Sequence, residues 1–341
     1  MTRILLFLDS SGLGGIESHV ATLAEGLPER GVPAEILFWR DYPGNAFETR
    51  LKAAGLPLSS LDGRFSALVH RLRRERSVLL HTHGYKAGIL GRLAAKLVGI
   101  PVVSTYHAGE RGRFPVNLYQ ALDSWTGWLA EGIAVSPAIA RQLPFKATVI
   151  PNFVHFPPLP LQRLREPQIG FVGRLSPEKA PDRFVKLAET LGGNASFHVF
   201  GDGPMRAGLM AGAAGNRILW HGMVTDPGAI WPSLDLLIMP SRAEGLPMAA
   251  LEALAAGIPI IGTRVGALPS VIGNSQAGWL VEEGPDEQVV ADMAQAAKTW
   301  LSLSGRERDS LRTSAHDHGA RHFGLQTGLT RVIEAYRRAG A

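Results

Sequence analysis

Short apolar runs alternate with helix-period segments along the whole chain, and this alternation restricts the fold more than any other feature. In the first half, Ile4–Leu8, Ala34–Phe38, Val78–His81, Val102–Thr105 and Gly132–Val135 read as strands. A glycine turn and a helix through His19–Leu27 follow the first strand, and a second helix runs between His83 and Val98 with Ala, Leu and Ile at helical spacing. The second half repeats the design with Gln168–Val172, Ser196–Phe200, Ile218–His221, Leu234–Met239 and Pro259–Gly262. The pattern predicts an α/β chain of parallel sheets with helices on both faces. Between the halves lies PPLPLQRLREP, residues 157–167, with four prolines and the composition of a linker. A chain of 341 residues accommodates two domains of ordinary size, hinged near 155–168. A cleft between two such domains is a natural ligand site.

Composition removes several classes. There is no cysteine, which excludes disulfides, thiol chemistry and zinc–thiolate sites. The apolar run Ile4–Leu8 is too short for a signal-peptide core, and no apolar stretch approaches the ~20 residues of a membrane span. The expected location is therefore the cytoplasm. Charge is uneven: residues 1–160 hold 17 Lys/Arg against 12 Asp/Glu, whereas residues 161–341 hold 18 of each. The whole excess of +5 lies in the first half, which favours an anionic partner such as a phospholipid surface or a phosphorylated acceptor. A soluble basic surface with no partner is the plainer reading.

The richest segment is PSRAEGLPMAALE, Pro240–Glu252. Gly245 and Pro247 open an apolar helix continued by Leu251, Leu254, Ala255 and Ala256, and Gly257 and Pro259 close it. Pro247 suits the first helical turn, where its missing N–H costs nothing. Glu244 then sits in the loop at the helix N-terminus, and Glu252 projects from the helix body. A helix N-terminus attracts anions, so a carboxylate just ahead of it can hold a hydroxyl-rich ligand beside a bound phosphate.

Other candidates follow strand ends. Ser11-Gly12-Leu13-Gly14-Gly15 lies between a strand and a helix, where glycines let backbone approach a phosphate. A dinucleotide fingerprint would need glycine at position 17, which is Glu17, and a tight turn explains the cluster equally well. Arg174 and Lys179 in GRLSPEKA follow the strand Gln168–Val172. Two cations there suit a diphosphate, each charge contact at ~4 Å being worth roughly 4 kcal/mol before desolvation. The alternative is two solvated surface charges. His107 follows Val102–Thr105, while His81 and His83 end the preceding strand. Three histidines near adjacent strand ends raise the question of a metal, but without a carboxylate partner the expectation is no metal, with His107 as a substrate contact and His81 as a buried structural residue. Arg64–Arg76 places Phe65, Leu68, Val69 and Leu72 on one stripe beside Arg71, Arg73, Arg74 and Arg76. Such a helix either lies on an anionic bilayer or packs its stripe on the sheet and solvates its arginines. No Ser–His–Asp set, nucleophile elbow or H-E-x-x-H stands out, and no basic–aromatic interleaving suggests nucleic acid.

Together these stretches resemble the retaining glycosyltransferases of family 4, the glycosyl transferases group 1, which have the GT-B fold of two Rossmann-like domains facing across a cleft. The resemblance is carried by GLGGIESHV (12–20), HTHGYKAGILGRLAAKLVGIPVVSTYH (81–107), AVSPAIARQL (134–143) and VIPNFV (149–154). In the second half FVGRLSPEKAPDRFV (171–185), VFGDGP (199–204), HGMV (221–224) and PSRAEGLPMAALEALAAGIPIIGTRVGALP (240–269) carry it, in order and at the family's spacing. It implies an acceptor-binding domain over 1–156, the linker 157–167, a nucleotide-sugar-binding domain over 168–320, and a helix within 321–341 returning to the first domain.

The resemblance also implies roles. Gly14 and Gly15 would approach the donor phosphates, Arg174 and Lys179 would neutralise the departing diphosphate, and Glu252 would bind the donor ribose. Glu244 would contact donor-sugar hydroxyls and His107 the transferred sugar. Gly245, Leu246 and Pro247 would complete the pocket, and Gly201, Gly203 and Val224 would border the base. Fixed cations near the leaving group and a carboxylate and imidazole near the sugar meet the charges that develop. In the family the leaving phosphate takes the acceptor proton on the same face, so no protein nucleophile or metal is needed; a double displacement through two carboxylates is the alternative. The expected donor is a nucleotide diphosphate sugar, a UDP-sugar ahead of a GDP-sugar, with no further cofactor. The expected acceptor is a hydroxyl, such as a lipid-linked saccharide in surface polysaccharide assembly, reached by peripheral contact with the inner face of an anionic membrane. Two departures are visible: Ala267 and Ser270 stand for the commoner glycine and glutamate, and Phe153 stands for a glycine. Ala267 and Ser270 leave open a non-catalytic nucleotide-sugar-binding subunit, and a GT-B-fold sugar epimerase is a further alternative.

Overall fold

Strand interiors with no polar face must be covered on both sides, and the strands here meet that condition. The computed structural model describes residues 2–75, 77–107, 116–159, 166–212, 217–224, 227–273 and 277–340. Position 76, at the end of the basic segment, and 160–165 of the proline-rich stretch lie outside the described residues. The chain divides into two compact units, Met1–Phe153 with Leu325–Ala341, and Val154–Gly324.

In the first unit the strands are β1 (Arg3–Leu8), β2 (Ala34–Phe38), β3 (Leu58–Ser60), β4 (Val78–His83), β5 (Val102–Tyr106), β6 (Glu131–Ala134) and β7 (Ala147–Val149). The helices between them are α1 (Gly15–Glu29), α2 (Ala46–Ala53), α3 (Phe65–Arg74), α4 (Tyr85–Val98), α5 (Val116–Thr126) and α6 (Pro137–Gln142). The sheet order is β3-β2-β1-β4-β5-β6-β7, every pair parallel. Alternation along β1 sorts the core. Ile4, Leu6 and Leu8 pack with α1, whereas Leu5 and Phe7 pack with α3 and α4.

The second unit has β8 (Gln168–Val172), β9 (Ser196–Phe200), β10 (Ile218–Gly222), β11 (Leu236–Met239), β12 (Ile260–Thr263) and β13 (Gly278–Val281). Its helices are α7 (Pro181–Leu191), α8 (Arg206–Gly212), α9 (Met248–Ala255), α10 (Leu268–Ile272), α11 (Asp286–Ser302) and α12 (Gly305–Phe323). The parallel order β10-β9-β8-β11-β12-β13 is that of a doubly wound nucleotide-binding sheet. The last helix, α13 (Leu325–Ala339), belongs to the first unit: Leu329, Val332, Ala335 and Tyr336 enter its core, and Gly328 makes room for Phe153.

Several expectations shift. The first helix starts at Gly15 and keeps Pro28 in its last turn, and the fourth starts at Tyr85 because His83 still belongs to the sheet and Gly84 turns the chain at φ +81. β11 begins at Leu236, two residues later than its apolar run. The short strands β3, β7 and β13 escaped the sequence reading; the first two have three residues each, too few for a periodic signal. Pro247 is the N-cap of α9 rather than a first-turn residue, since its ψ of 125 is extended. Gly257 closes α9 as expected, with φ +72. In α3 the residues Leu68, Val69 and Leu72 are buried, Phe65 is exposed, and Arg71 is bonded to Glu35 and Glu75. The stripe thus faces the protein and is not available to a bilayer.

Candidate active site

Neighbouring strands β8 and β11 send their chains in opposite directions, and ligands of such sheets bind at the carboxyl ends where this happens. The loops that leave those two ends are 173–180 and 240–247. In the first, Lys179 and Ala180 N–H groups both donate to Ser176 O, and Ala180 takes a left-handed conformation at φ +51 to enter α7. That turn delivers Lys179, whose Nζ lies 2.6 Å from Glu244 Oε2. Ser241 Oγ donates to the other carboxylate oxygen of Glu244 at 2.8 Å. Glu244 is 7% exposed, so its charge is held by two specific partners rather than by water. Arg174, on the same turn, is exposed. Burial would raise Glu178, but bonds from Ser176 and its own backbone N–H, with Lys179 and Arg174 nearby, hold it below the usual carboxylate range.

Two arginines not anticipated from the sequence fasten the Glu244 loop. Buried Arg183 donates to Pro240 O at 3.0 Å, to Glu283 at 2.8 Å and to Asp286 at 2.8 Å. Arg242 bonds Asp182 at 2.7 Å and Asp286 at 2.8 Å, while its backbone N–H donates to Glu178 O at 2.8 Å. The signal for Arg242 was present, since it lies inside the segment already singled out. Arg183 gave none, because a buried arginine on a helix is invisible until its carboxylates are placed. Thr263 Oγ1 donates to Ser241 O at 2.5 Å and ties the loop to β12.

The turn after β12 closes on the same backbone. Gly266 has φ +55, and a Cβ there would lie 2.1 Å from Glu244 O. Ala267 N–H donates to Gly245 O at 3.0 Å. The turn therefore survives the replacement of its second glycine by Ala267, and Ser270 Oγ donates to Ala267 O at 2.7 Å. Leu246 is buried, and Glu252 is half-buried as the fifth residue of α9. Gly201 and Gly203 have a packing reason of their own: a Cβ would come within 1.9 Å of Gly173 O and 2.5 Å of Leu175 O, respectively. Val224 follows β10 and is half-buried.

In the first unit, Gly14 is the N-cap of α1, and Gly14 and Gly15 are exposed. Glu17 folds back over that end: a Cβ on Gly14 would lie 2.8 Å from Glu17 Oε2. Burial pushes the Glu17 carboxyl up, against a hydrogen bond from Ser10. The histidines sort differently from the sequence grouping. His81 is structural, with Nδ1 2.8 Å from Tyr336 OH and Nε2 2.7 Å from Thr105 Oγ1. Its place is taken by His19 from α1, which sequence reasoning missed. His19, His83 and His107 each offer a ring nitrogen within 4.8 Å of the others, the arrangement among the described residues that could hold a metal ion. His83 Nδ1 is 3.1 Å from His107 Nε2, and His19 Nδ1 and His83 Nε2 have no hydrogen-bond partner among the described residues.

Burial lowers all four imidazoles, His19 to about 4. Folded histidines that resist protonation stabilise the protein fully above the unfolded value of 6.5 and lose that contribution as pH falls toward the folded value. Each adds a slope of about 1.4 kcal/mol per pH unit over its window. The melting temperature is thus expected to drop steeply as pH falls below 6.5, and His19→Asn is expected to shed one proton from that uptake; a flat melting profile there would contradict the neutral cluster.

Comparison with known proteins agrees with this geometry. Residues 13–156 match the family described as Glycosyltransferase Family 4, and residues 166–302 match Glycosyl transferases group 1. The chain is similar to the 2-deoxystreptamine N-acetyl-D-glucosaminyltransferase of Streptomyces fradiae, 27% identical over 96% of this chain and 91% of that one. It is 29% identical to the UDP-Gal:alpha-D-GlcNAc-diphosphoundecaprenol alpha-1,3-galactosyltransferase of Escherichia coli, over 63% of this chain and 65% of that one. Among solved structures, Anabaena Alr3699/HepE in complex with UDP-glucose superposes with a TM-score of 0.83 at 18% identity, covering 99% of this chain and 100% of that one. Each half thus matches its own part of one enzyme family on a shared fold, and the chain belongs to the family 4, group 1 glycosyltransferases with the GT-B fold.

Proposed function

We propose that this glycosyltransferase is retaining and metal-independent and transfers a sugar from a UDP-sugar to a hydroxyl of a lipid-linked saccharide. The observation that carries the reading is the Lys179–Glu244 contact of 2.6 Å at the strand ends that flank the reversal of β8 and β11. Lys179 and Arg174 sit where a diphosphate leaving group needs positive charge, and the half-buried Lys179 can turn from Glu244 toward an arriving phosphate. Glu244 then engages sugar hydroxyls, and Glu252 the ribose. Gly245, Leu246 and Pro247 line the sugar, and Gly201, Gly203 and Val224 the base. From the first unit, His107 contacts the sugar, and Gly14 and Gly15 offer N–H groups to phosphate. The anomeric carbon–phosphate oxygen bond breaks as the acceptor oxygen bonds to the same face of that carbon, and the acceptor proton passes to the departing phosphate oxygen.

A UDP donor is supported by the UDP-glucose complex of the Anabaena structure, and a lipid-linked acceptor by the diphosphoundecaprenol substrate named for the Escherichia coli relative. No described helix is long and apolar enough to cross a membrane. UDP-, GDP- and ADP-sugars screened by thermal shift with EDTA present, followed by mass spectrometry of products, test the reading. A UDP-selective shift with nucleotide release in EDTA is expected. Release that stops in EDTA and returns with a divalent ion would sink the metal-free mechanism and direct attention to His19, His83 and His107.

A further inference from the structure

Among the described residues of the first unit, most exposed large apolar side chains gather on one pair of helices and the turn that follows them. Along α5, Leu118, Leu122 and Trp125 recur at helical spacing on an exposed face, and Trp128 follows in the turn beyond it. Trp125 is 71% exposed and Trp128 68%. The neighbouring α4 adds exposed Leu93 and Leu97, and the two helices join at a Tyr85–Tyr119 ring stack with centroids 6.1 Å apart. A face that leaves two indoles in water is expensive for a protein with no use for it. Indoles favour the water–hydrocarbon boundary of a bilayer, where the ring is buried and its N–H stays wet.

The charge around this face selects the kind of surface. Among the described residues of 84–146 there are five Lys/Arg against two Asp/Glu. Both acids are paired, Asp123 with buried Arg92 at 2.6 Å and Glu131 with Arg338 at 2.8 Å, and Lys86 is in turn paired with Asp9 at 2.7 Å. Lys96, beside Leu93 and Leu97, is exposed, as are Arg141 and Lys146. From this complementarity we infer that the α4–α5 face docks on an anionic phospholipid bilayer, with Trp125 and Trp128 as its interfacial anchors. Apolar insertion and headgroup attraction act together there, as stable peripheral binding requires. The inference gives the proposed lipid-linked acceptor its meeting place and rests on that reading for its purpose, although the binding itself is tested without any acceptor.

The test is cosedimentation of the full chain with vesicles of phosphatidylcholine alone and of phosphatidylcholine containing one third phosphatidylglycerol. Retention by the anionic vesicles alone, weakened by salt, is expected. Trp125→Ser combined with Trp128→Ser should lower the bound fraction at least roughly tenfold, because the indoles are the main insertable groups. The melting temperature and the UDP-induced thermal shift of that variant should match the parent, since both side chains are exposed. No retention on anionic vesicles, or undiminished retention of the double variant, would overturn the inference. So would a parent dimer that becomes monomeric in the double variant, since the face would then belong to a second copy. A normal UDP shift without vesicle binding removes this inference and leaves the transferase reading intact; vesicle binding without any donor shift does the reverse.

Discussion

Glu244→Gln is expected to lower turnover by roughly 10²–10³-fold while leaving the affinity for UDP within a few-fold of the parent, the size of effect typical when one preorganised polar group is removed from a reacting centre. The substitution keeps the shape of the side chain and an oxygen for the Ser241 hydroxyl, which donates at 2.8 Å. It removes the charge that Lys179 meets at 2.6 Å. A group that acts on the sugar as charge develops should be felt in kcat, whereas a group that only holds the loop should be felt in the melting temperature. Steady-state kinetics with the preferred UDP-sugar, beside a nucleotide-binding isotherm, separate the two. Turnover near the parent value would remove Glu244 from the chemistry.

Gly266→Ala should be nearly as damaging, and for a different reason. The left-handed φ of +55 costs an L side chain about 1–2 kcal/mol. The added Cβ would stand 2.1 Å from Glu244 O, so the loop must move, at a further ~1–3 kcal/mol for overpacking. A shift of ~1 Å in a positioned group can lower activity by about 10²-fold. Melting temperature and turnover should therefore fall together, while UDP binding survives. Gly305→Ala is the control: nothing lies within 4 Å of a Cβ there, and the position opens α12. An active, unshifted Gly266→Ala enzyme would show that the turn after β12 does not set the position of Glu244.

Much of the fold was legible because parallel strands buried on both faces leave uninterrupted apolar runs, as Gln168–Val172 and Ser196–Phe200 do at the observed bounds. The three-residue strands β3 and β7 left no such trace, being too short to show a period. In the site, Lys179 and Glu244 were each legible because each follows a strand end, but their direct contact was not, since only the sheet order makes those two ends neighbours. Arg183 and His19 could not. Their partners are 100 residues away in Glu283 and, for His19, at the end of β4 and just beyond β5, so only tertiary packing reveals them. The stripe in α3 left two readings open: its amphipathic spacing is the same whether the apolar side meets a sheet or a lipid, and the buried Leu68, Val69 and Leu72 decide for the sheet.

The return of α13 has a consequence for how the protein is made. β1 and β4 precede the second unit in the chain, whereas Leu329, Val332 and Tyr336, which join the same core and of which Tyr336 bonds His81, follow it. The first sheet therefore waits, with one apolar face covered only in part by α1, through synthesis of the entire second unit. Exposed apolar surface of this kind is what favours aggregation of incomplete chains, and the docking of α13 after residues 154–324 is the seal that removes it.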